Sequence, residues 1–498
     1  MATIAVIGAG FSGLSAASYL SAAGHKVQVY EKNASAGGRA RQLITDNGYA
    51  FDMGPSWYWM PDIFERFFND FGYTVSDFYQ LKLLDPSFDI IFDDKEMMSI
   101  PENYSALRFL FESIEQGSSL QLDKFMEEAG YKYDVGMKAF AYMPGLSLAE
   151  FADIKLIQSA LRLNLFSSFS SHVRKYFSHP KLIALMEFPV LFLGAMPHDT
   201  PALYSLMNYA GLKLGTWYPR GGFGKVISSI REMASRNGAE FYFSSPVEKI
   251  LFKNNKATGV IVGGVTVPCD AVLAAADYHY VEKVLLPKSL GNYNDAYWQK
   301  KIFAPSCLIY FIGISKRINK LNHHTLFFDG DLIQHSKEIY KTPQWPTKPL
   351  FYVCCPSRSD DGVAPAGHEN LFLLMPIAPG LGDNETLREK YFEIMMKRIE
   401  NYLGTDIRPF IDFKKSYSVS DFKDDYHSYK GNAYGLANTL FQTAILKPKI
   451  RNKKVKNLFY AGQLTVPGPG VPPSLISGKI AATQLIKHLN LKKHEVII

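Results

Sequence analysis

The sequence predicts an α/β fold in which a parallel-sheet domain is interleaved along the chain with a mixed-sheet domain and a helical lid. Three observations lead to this prediction. A strand, a glycine-rich turn, a helix and a second strand follow one another within the first 31 residues, and strand-like alternation returns at residues 239–276. Residues 457–489 contain a strand, a glycine-rich loop that is expected to extend to Pro473, and a helix from Ser474. At 498 residues, the chain has material for about three domains.

The first 31 residues carry the pattern of a nucleotide-binding βαβ unit. An apolar run at residues 4–7 ends in Gly8, Gly10 and Gly13, and a helical spacing of Ala, Ser and Leu follows. Glycines here allow a tight turn, a close approach of the backbone to a diphosphate and close packing of helix on strand. Glu31 lies 18 residues after the last glycine, where a carboxylate accepts hydrogen bonds from ribose hydroxyls. The unit is therefore Rossmann-like and binds a dinucleotide.

A second glycine pair narrows the choice of dinucleotide. Gly37 and Gly38 bring another backbone loop to the same diphosphate, and Arg39 adds a fixed positive charge. NAD sites do not need this element. Its spacing resembles that of two-dinucleotide-binding FAD proteins, which indicates FAD as the cofactor.

The composition and charge of the chain argue against several other classes of protein. Apolar residues make up 47% and charged residues 20% of the chain, so it folds around a large core. A net charge of +7 without a basic block interleaved with aromatics argues against nucleic acid as a partner. No apolar stretch is long enough to span a membrane, the four cysteines show no CxxC spacing, and no metal site is predicted.

The order of the segments predicts domains that are discontinuous in sequence. Residues 1–75, 220–290 and 450–498 are assigned to the FAD-binding domain, and residues 76–102 and 291–449 to the substrate domain. Residues 103–219 lack strand alternation and are assigned to a helical lid that associates with membrane. Within it, residues 156–177 combine Leu, Phe and Ile with basic residues, a pattern compatible with an interfacial amphipathic helix or with an ordinary lid helix.

Along essentially its whole length the chain resembles the bacterial phytoene-desaturase family of carotenoid desaturases, FAD enzymes related to amine oxidases. The most specific segments are FDMGPS at residues 51–56, TPALYSL at 200–206, WYPRGG at 217–222 and PGPGVP at 467–472. The resemblance implies a set of cofactor-binding residues: Gly8, Gly10, Phe11, Ser12, Gly13, Glu31, Lys32, Gly38, Arg39, Gly54, Pro55, Ser56, Val247, Gly462, Gln463, Val471 and Pro472. Gly54 to Ser56 would lie beside the isoalloxazine, and the backbone of Val247 would meet the adenine.

The implied activity is the introduction of conjugated double bonds into an acyclic carotenoid by hydride transfer to FAD. The alternatives are a hydroxycarotenoid 3,4-desaturase, a carotenoid isomerase or oxidase on the same scaffold, an amine oxidase, and a non-enzymatic lipid-binding protein like the GDP-dissociation inhibitors. An aromatic content of 14% suits a hydrocarbon substrate, which offers only apolar area for recognition.

The partners expected from this activity are the carotenoid, a membrane surface and an electron acceptor, either a quinone or oxygen. The expected location is cytoplasmic with peripheral membrane association, since the substrate partitions into lipid. No catalytic residue is named: His198 and Asp199 favour a surface or capping role, and Asp52 favours a turn-stabilising role.

Overall fold

The computed structural model of the chain describes residues 1–93, 96–138, 140–147, 150 and 167–495. Its strands, in chain order, are β1 (Thr3–Ile7), β2 (Lys26–Tyr30), β3 (Gln42–Ile44), β4 (Ala50–Asp52), β5 (Leu81–Leu83), β6 (Phe88–Asp93), β7 (Glu96–Ile100), β8 (Trp217–Pro219), β9 (Glu240–Tyr242), β10 (Val247–Lys253), β11 (Lys256–Val262), β12 (Val265–Pro268), β13 (Ala271–Ala274), β14 (Ser306–Ile314), β15 (His324–Phe327), β16 (Phe351–Cys354), β17 (Glu369–Ile377), β18 (Ile411–Tyr417) and β19 (Leu458–Tyr460). Its α-helices, in the same order, are α1 (Phe11–Ala22), α2 (Pro61–Asn69), α3 (Tyr104–Ile114), α4 (Ser118–Lys138), α5 (Phe169–Val173), α6 (Pro180–Glu187), α7 (Leu206–Leu212), α8 (Gly222–Arg236), α9 (Tyr278–Tyr280), α10 (Asp295–Lys300), α11 (Leu332–Tyr340), α12 (Glu385–Leu403), α13 (Val419–Tyr426) and α14 (Val471–Glu495).

A five-stranded parallel sheet forms the Rossmann-like core. Its strand order is β19-β13-β1-β2-β9, and every neighbouring pair runs parallel. The residues of β1 from Ile4 to Ile7 are buried, as a parallel sheet covered on both faces requires. Helix α1 packs tightly on α14, where the Ser15 hydroxyl donates to the Leu475 carbonyl at 2.7 Å. The predicted α/β class is confirmed, with the first and last segments of the chain side by side.

A second, seven-stranded mixed sheet has the order β18-β14-β17-β16-β15-β6-β7. Strands β15 and β6 pair in parallel, whereas the other neighbours pair antiparallel. All nine residues of β14 are buried because one face of the sheet packs on α12 and the other faces the interior of the molecule. Its strands come from the segments assigned to the substrate domain, and we keep the three-domain division as a proposal.

Strands β6 and β7 form an antiparallel hairpin, with residues 94–95 outside the described part of the chain. Helices dominate the described part of the predicted lid, but this segment ends in β8, which pairs with β5 of the predicted substrate domain. Of the predicted interfacial helix at residues 156–177, residues 156–166 lie outside the described residues, and the remainder contains the short helix α5. Among the described residues, none of the helices has the length and apolar character needed to cross a membrane.

Candidate active site

A large cavity lies between the opening glycine turn and the closing loop of the chain. Gly8 and Gly10 border it on one side, and Gly462 and Val471 on another. Its space, including the opening to solvent, is about 2250 Å³. The opening glycine turn and the closing loop, both assigned to the FAD-binding domain from the sequence, therefore flank one cavity.

The glycine turn is held in shape by contacts that exclude side chains. Gly8 has a φ of +97°, which favours glycine. A Cβ on Gly13 would lie 1.9 Å from the Gly8 carbonyl oxygen, so only glycine lets helix α1 pack against the turn. The second glycine loop docks alongside: the Gly37 amide donates to the Ala9 carbonyl at 2.8 Å. Together these contacts leave bare backbone around the cavity.

Glu31 lies at the end of β2 and is buried. One carboxylate oxygen accepts the Ala9 amide at 2.8 Å, and the other accepts the Asn33 amide at 2.9 Å. The oxygen that binds the Asn33 amide also accepts the Asn33 side-chain amide at 3.0 Å. The other oxygen has a second lone pair, so Glu31 can still accept from a ligand hydroxyl while it braces the turn.

Arg39 and Asp277 form the charged part of the cavity wall. The Arg39 guanidinium donates to the Ser428 hydroxyl at 3.0 Å, whereas its buried Nε has no hydrogen-bond partner among the described residues. Burial lowers the pKa of Arg39, and the nearby Asp277 carboxylate opposes this shift. Burial raises the pKa of Asp277 to about 6 against the effect of Arg39. An anionic ligand group beside Arg39 would supply the partner that its Nε lacks.

The closing loop contributes backbone and an amide. The Gly462 amide donates to the Ser477 hydroxyl at 3.0 Å, and Gln463 reaches the Asn432 side chain at 3.4 Å. Helix α14 begins at Val471, so the loop expected to extend to Pro473 ends three residues earlier. The first turn of α14 therefore lines the cavity. Pro472 and Pro473 have no backbone N–H and the Ser474 amide donates to the Gly470 carbonyl at 3.0 Å, so of these residues only Val471 has an amide left for a ligand.

The structure brings nearly all the predicted cofactor residues to this cavity. Gly13 alone of them does not line it; this residue lies behind the turn and packs against Gly8. The predicted residues that line the cavity are Gly8, Gly10, Phe11, Ser12, Glu31, Lys32, Gly38, Arg39, Gly54, Pro55, Ser56, Val247, Gly462, Gln463, Val471 and Pro472.

The far end of the cavity is apolar and aromatic. Trp57 packs edge-on against Trp59 with ring centroids 5.3 Å apart, and both approach Phe188. Further wall residues come from the residue before α2, from helix α7, from the interior face of the mixed sheet and from the loop between α13 and β19: Met60, Met207, Cys307, Ile309, Tyr352, Leu374 and Tyr434. None of the described residues named for this end carries a charge. This end can bind a neutral, hydrophobic molecule but offers no counter-ion for an amine.

Three polar residues considered from the sequence lie elsewhere. Asp52 accepts the Phe223 amide at 2.7 Å and the Gly224 amide at 3.1 Å, so it caps the N-terminus of α8. His198 and Asp199 are exposed and pair with each other at 3.5 Å. None of the three lines the cavity as described, which agrees with the structural roles expected for them.

Comparison with known proteins gives the family. The flavin containing amine oxidoreductase family matches residues 11–486. A carotenoid 3,4-desaturase from Haloarcula japonica is 40% identical and covers 98% of this chain and 98% of its own length. A zeta-carotene-forming phytoene desaturase from Myxococcus xanthus is 29% identical and covers 97% of this chain and 93% of its own. The chain belongs to the carotenoid desaturases of the flavin-containing amine oxidoreductase family.

Solved structures support the fold assignment. Putrescine oxidase bound to putrescine aligns with a TM-score of 0.61 and 14% identity, covering 98% of this chain and 99% of that one. At this identity the likeness shows the shared fold alone. As a member of the family, the protein is an FAD-dependent oxidoreductase.

The site of this desaturase fits FAD on its own observations. The polar end offers bare glycine backbone, a buried arginine nitrogen without a partner and a helix N-terminus, all of which suit a diphosphate. FAD, when bound, accepts a hydride from substrate. The residues around the apolar end orient a neutral substrate and exclude water.

Among the wall residues that were not predicted from the sequence, Asp277 and Tyr352 show two different reasons. Asp277 follows β13, and the carboxyl ends of parallel strands are where ligands bind in such sheets, so this rule could have found it. Tyr352 lies in β16 of the other sheet and carries no local signal, because only packing brings it to the cavity.

Proposed function

We propose that this protein desaturates an acyclic carotenoid near one end of its chain, at the 3,4 bond, with FAD as hydride acceptor. The observation that carries the proposal is the cavity, which joins a polar, glycine-lined end to an uncharged aromatic end. The choice of the 3,4 bond is supported by 40% identity to a carotenoid 3,4-desaturase, against 29% to a phytoene desaturase.

The apolar end suits a hydrocarbon for energetic reasons. A carotenoid presents no charge and few polar atoms, so affinity comes from buried apolar area at about 25 cal/mol per Å². An amine substrate would favour a carboxylate near the reacting atom, yet the acids among the described lining residues, Glu31, Asp277 and Asp425, lie with the polar end. Trp57 and Trp59 add bulk beside Gly54 to Ser56, which would limit how far the end of the carotenoid passes the flavin.

The test is a substrate panel. FAD-loaded protein is incubated in liposomes with phytoene, lycopene and an acyclic carotenoid hydroxylated near its end, first anaerobically with a quinone and then in air. We expect loss of two hydrogens by mass and a red-shifted absorption spectrum with lycopene or the hydroxylated carotenoid. Conversion of phytoene alone would favour the phytoene-desaturase alternative, and unchanged spectra with every substrate would refute the proposal.

We assign FAD contacts to the cavity residues as part of the same proposal. Glu31 would bind the ribose, Arg39 and the glycine backbone the diphosphate, and Val247 the adenine, while Gly54 to Ser56 would flank the ring system. Their shared position along one cavity supports this assignment.

We also propose that the protein docks peripherally on a membrane. Four exposed apolar side chains lie near the closing loop: Leu146, Ile302, Phe441 and Leu446. The Ile302 amide donates to Gln442 at 3.0 Å, and Lys449 donates to the Gly145 carbonyl at 2.6 Å, which holds these segments together.

Lys300 and Lys301 flank this apolar patch and favour anionic lipid headgroups. Phe441 is the most exposed of its members, at 78%, so Phe441→Glu should weaken flotation with anionic liposomes severalfold. The matched control is Ile333→Glu, which charges an exposed apolar residue on α11. Equal flotation of both variants would argue against this face.

A further inference from the structure

Carotenoid desaturation removes a proton as well as a hydride, and a buried tyrosine–histidine pair lies beside the apolar end of the cavity. Tyr352, in the cavity wall, is 4% exposed, and its hydroxyl lies 2.6 Å from Nδ1 of the fully buried His324. The Ser56 hydroxyl also hydrogen-bonds with Tyr352. The pair therefore adjoins the segment expected beside the flavin ring.

The position of His324 is held by packing on both sides. Its ring stacks on Trp57 at 4.1 Å between centroids, with 8° between the ring planes. On the sheet, His324 lies directly opposite Cys354, on the neighbouring strand. Since Trp57 itself lines the cavity, His324 forms a second layer directly behind the wall.

Polar groups continue from His324 away from the cavity. The ring centroids of His323 and His324 lie 4.4 Å apart. One ring nitrogen of each histidine and the Cys354 sulfur all lie within 4.8 Å of one another. One water molecule spans such a separation with two hydrogen bonds. His324 Nε2 and both ring nitrogens of His323 are buried without a hydrogen-bond partner among the described residues. Buried imidazole nitrogens without partners are costly, so a proton-carrying role would account for their presence.

The far end of this series reaches a partly exposed carboxylate. His323 packs on Tyr218 at 4.7 Å between ring centroids, and the Tyr218 hydroxyl donates to Asp360 at 3.2 Å. Burial lowers the pKa of His323 to about 3, with Lys82 adding to the shift and Asp360 opposing it. Burial also holds the pKa of His324 well below its usual value. Both imidazoles are therefore neutral at rest and pass on a proton readily.

We propose that Tyr352 is the proton acceptor of the desaturation and that His324, His323 and Asp360 carry the proton to solvent. This inference rests on the proposed function. One allylic hydrogen leaves as a hydride, with the electron pair of its C–H bond, and is accepted by FAD. The electron pair of the C–H bond on the neighbouring carbon becomes the second bond of the new alkene. The proton from that carbon joins the Tyr352 oxygen as the tyrosine proton moves to His324 Nδ1. His324 then releases its Nε2 proton through water towards His323 and Asp360, which leaves the neutral Nδ1–H tautomer. The resting state returns when that proton moves from Nδ1 to Nε2 before the next turnover.

The first experiment follows a single anaerobic turnover in liposomes, in H₂O and D₂O. Tyr352→Phe keeps the ring and removes the hydroxyl, so we expect flavin reduction to slow about 100-fold, the usual contribution of general base catalysis. FAD affinity should stay within about threefold, and the wild-type solvent isotope effect should disappear. The matched control is Tyr391→Phe, which removes another buried hydroxyl, bonded to the Pro346 carbonyl outside the cavity. Wild-type rates in Tyr352→Phe would overturn the proposal.

A second experiment follows proton release with an indicator dye during the same turnover. In the wild type we expect release to coincide with flavin reduction, whereas in His323→Leu release should fall behind it. Simultaneous release in the variant would overturn the assigned route.

Two measurements need no turnover. Nitrogen-15 NMR of histidine-labelled, FAD-loaded protein should show His324 Nδ1 as a hydrogen-bond acceptor whose signal shifts in Tyr352→Phe; an unshifted signal would overturn the pairing. Metal analysis of purified protein should find no stoichiometric metal, because a zinc ion on His323, His324 and Cys354 would exclude the relay. If the NMR result holds but no carotenoid reduces the flavin, it is the proposed function that fails.

Discussion

Replacing Gly13 by alanine tests whether the glycine turn is built by packing as well as by ligand contact. The added Cβ would lie 1.9 Å from the Gly8 carbonyl oxygen and 3.3 Å from the Ala275 Cβ, whereas ordinary contact begins near 3.4 Å. Helix α1 or the turn must therefore move by about 1.5 Å, in a region with parallel sheet on one side and α14 on the other. We expect a loss of about 3 kcal/mol, the upper end of the usual cost of overpacking.

The assay is thermal unfolding of the FAD-free protein together with titration of FAD. For a unit of about 200 residues, a loss of about 3 kcal/mol lowers Tm by about 6–12 °C. The displaced turn should also raise the Kd for FAD at least about tenfold.

The matched control is Gly10→Ala. A Cβ there meets nothing closer than the Gly38 Cα at 3.9 Å, and the φ of −76° suits alanine. Because Gly10 lines the cavity, this variant should keep its Tm within about 1 °C and lose FAD affinity. A Gly13→Ala protein with wild-type Tm, or equal destabilisation of both variants, would refute the reasoning.

Three further outcomes are expected. Glu31→Ala should weaken FAD binding and also cost about 1–3 kcal/mol in the FAD-free protein, since the buried Ala9 amide and the partly buried Asn33 amide lose their acceptor; unchanged thermal unfolding would show that water replaces the carboxylate. Burial lowers the pKa of Lys447 to about 7, so the folded state binds fewer protons than the unfolded state between about pH 7 and 10, and stability should rise with pH there. Melting curves of Lys447→Met, recorded across this pH range, should not show the rise of stability with pH. The same pH dependence as in the wild type would show that another group produces it. Trp59→Ala should open the apolar wall and give additional, more extensively desaturated products by chromatography, whereas an unchanged product would show that another residue sets the bond position.

Much of the FAD-binding half could be predicted because its signals are local. The strand, turn, helix and acidic residue of the first βαβ unit follow one another in fixed order, so the contact of Glu31 with the turn lies only 22 residues away in sequence. The strand, loop and helix of the closing segment could also be predicted from local signals, apart from the residue at which α14 begins. Proline at its second and third positions looked like loop, yet proline is well tolerated in the first turn of a helix.

The opposite wall could not be predicted, because it is assembled by the mixed sheet from distant segments. Tyr352 and His324 lie on adjacent strands whose pairing depends on the register of β15 with β16. A shift of one strand by one residue would place the two side chains on opposite faces of the sheet. Alternation alone indicates strands here, but it gives neither the partner nor the face that meets the cavity.

This difference follows from the chemistry of the two ligands. FAD is charged and hydrogen-bonding, so its site needs glycines, an acid and an arginine at set positions, and such residues stand out in a sequence. A hydrocarbon is recognised by apolar area, and the residues that surround it resemble any buried core. The polar groups needed for proton transfer must then be placed behind that apolar surface, where water cannot compete. His324 satisfies this requirement, since Trp57 covers its ring while Tyr352 connects it to the cavity. In such an enzyme the groups that carry the proton are recognised as buried polar side chains without hydrogen-bond partners, behind the apolar wall that holds the proton acceptor.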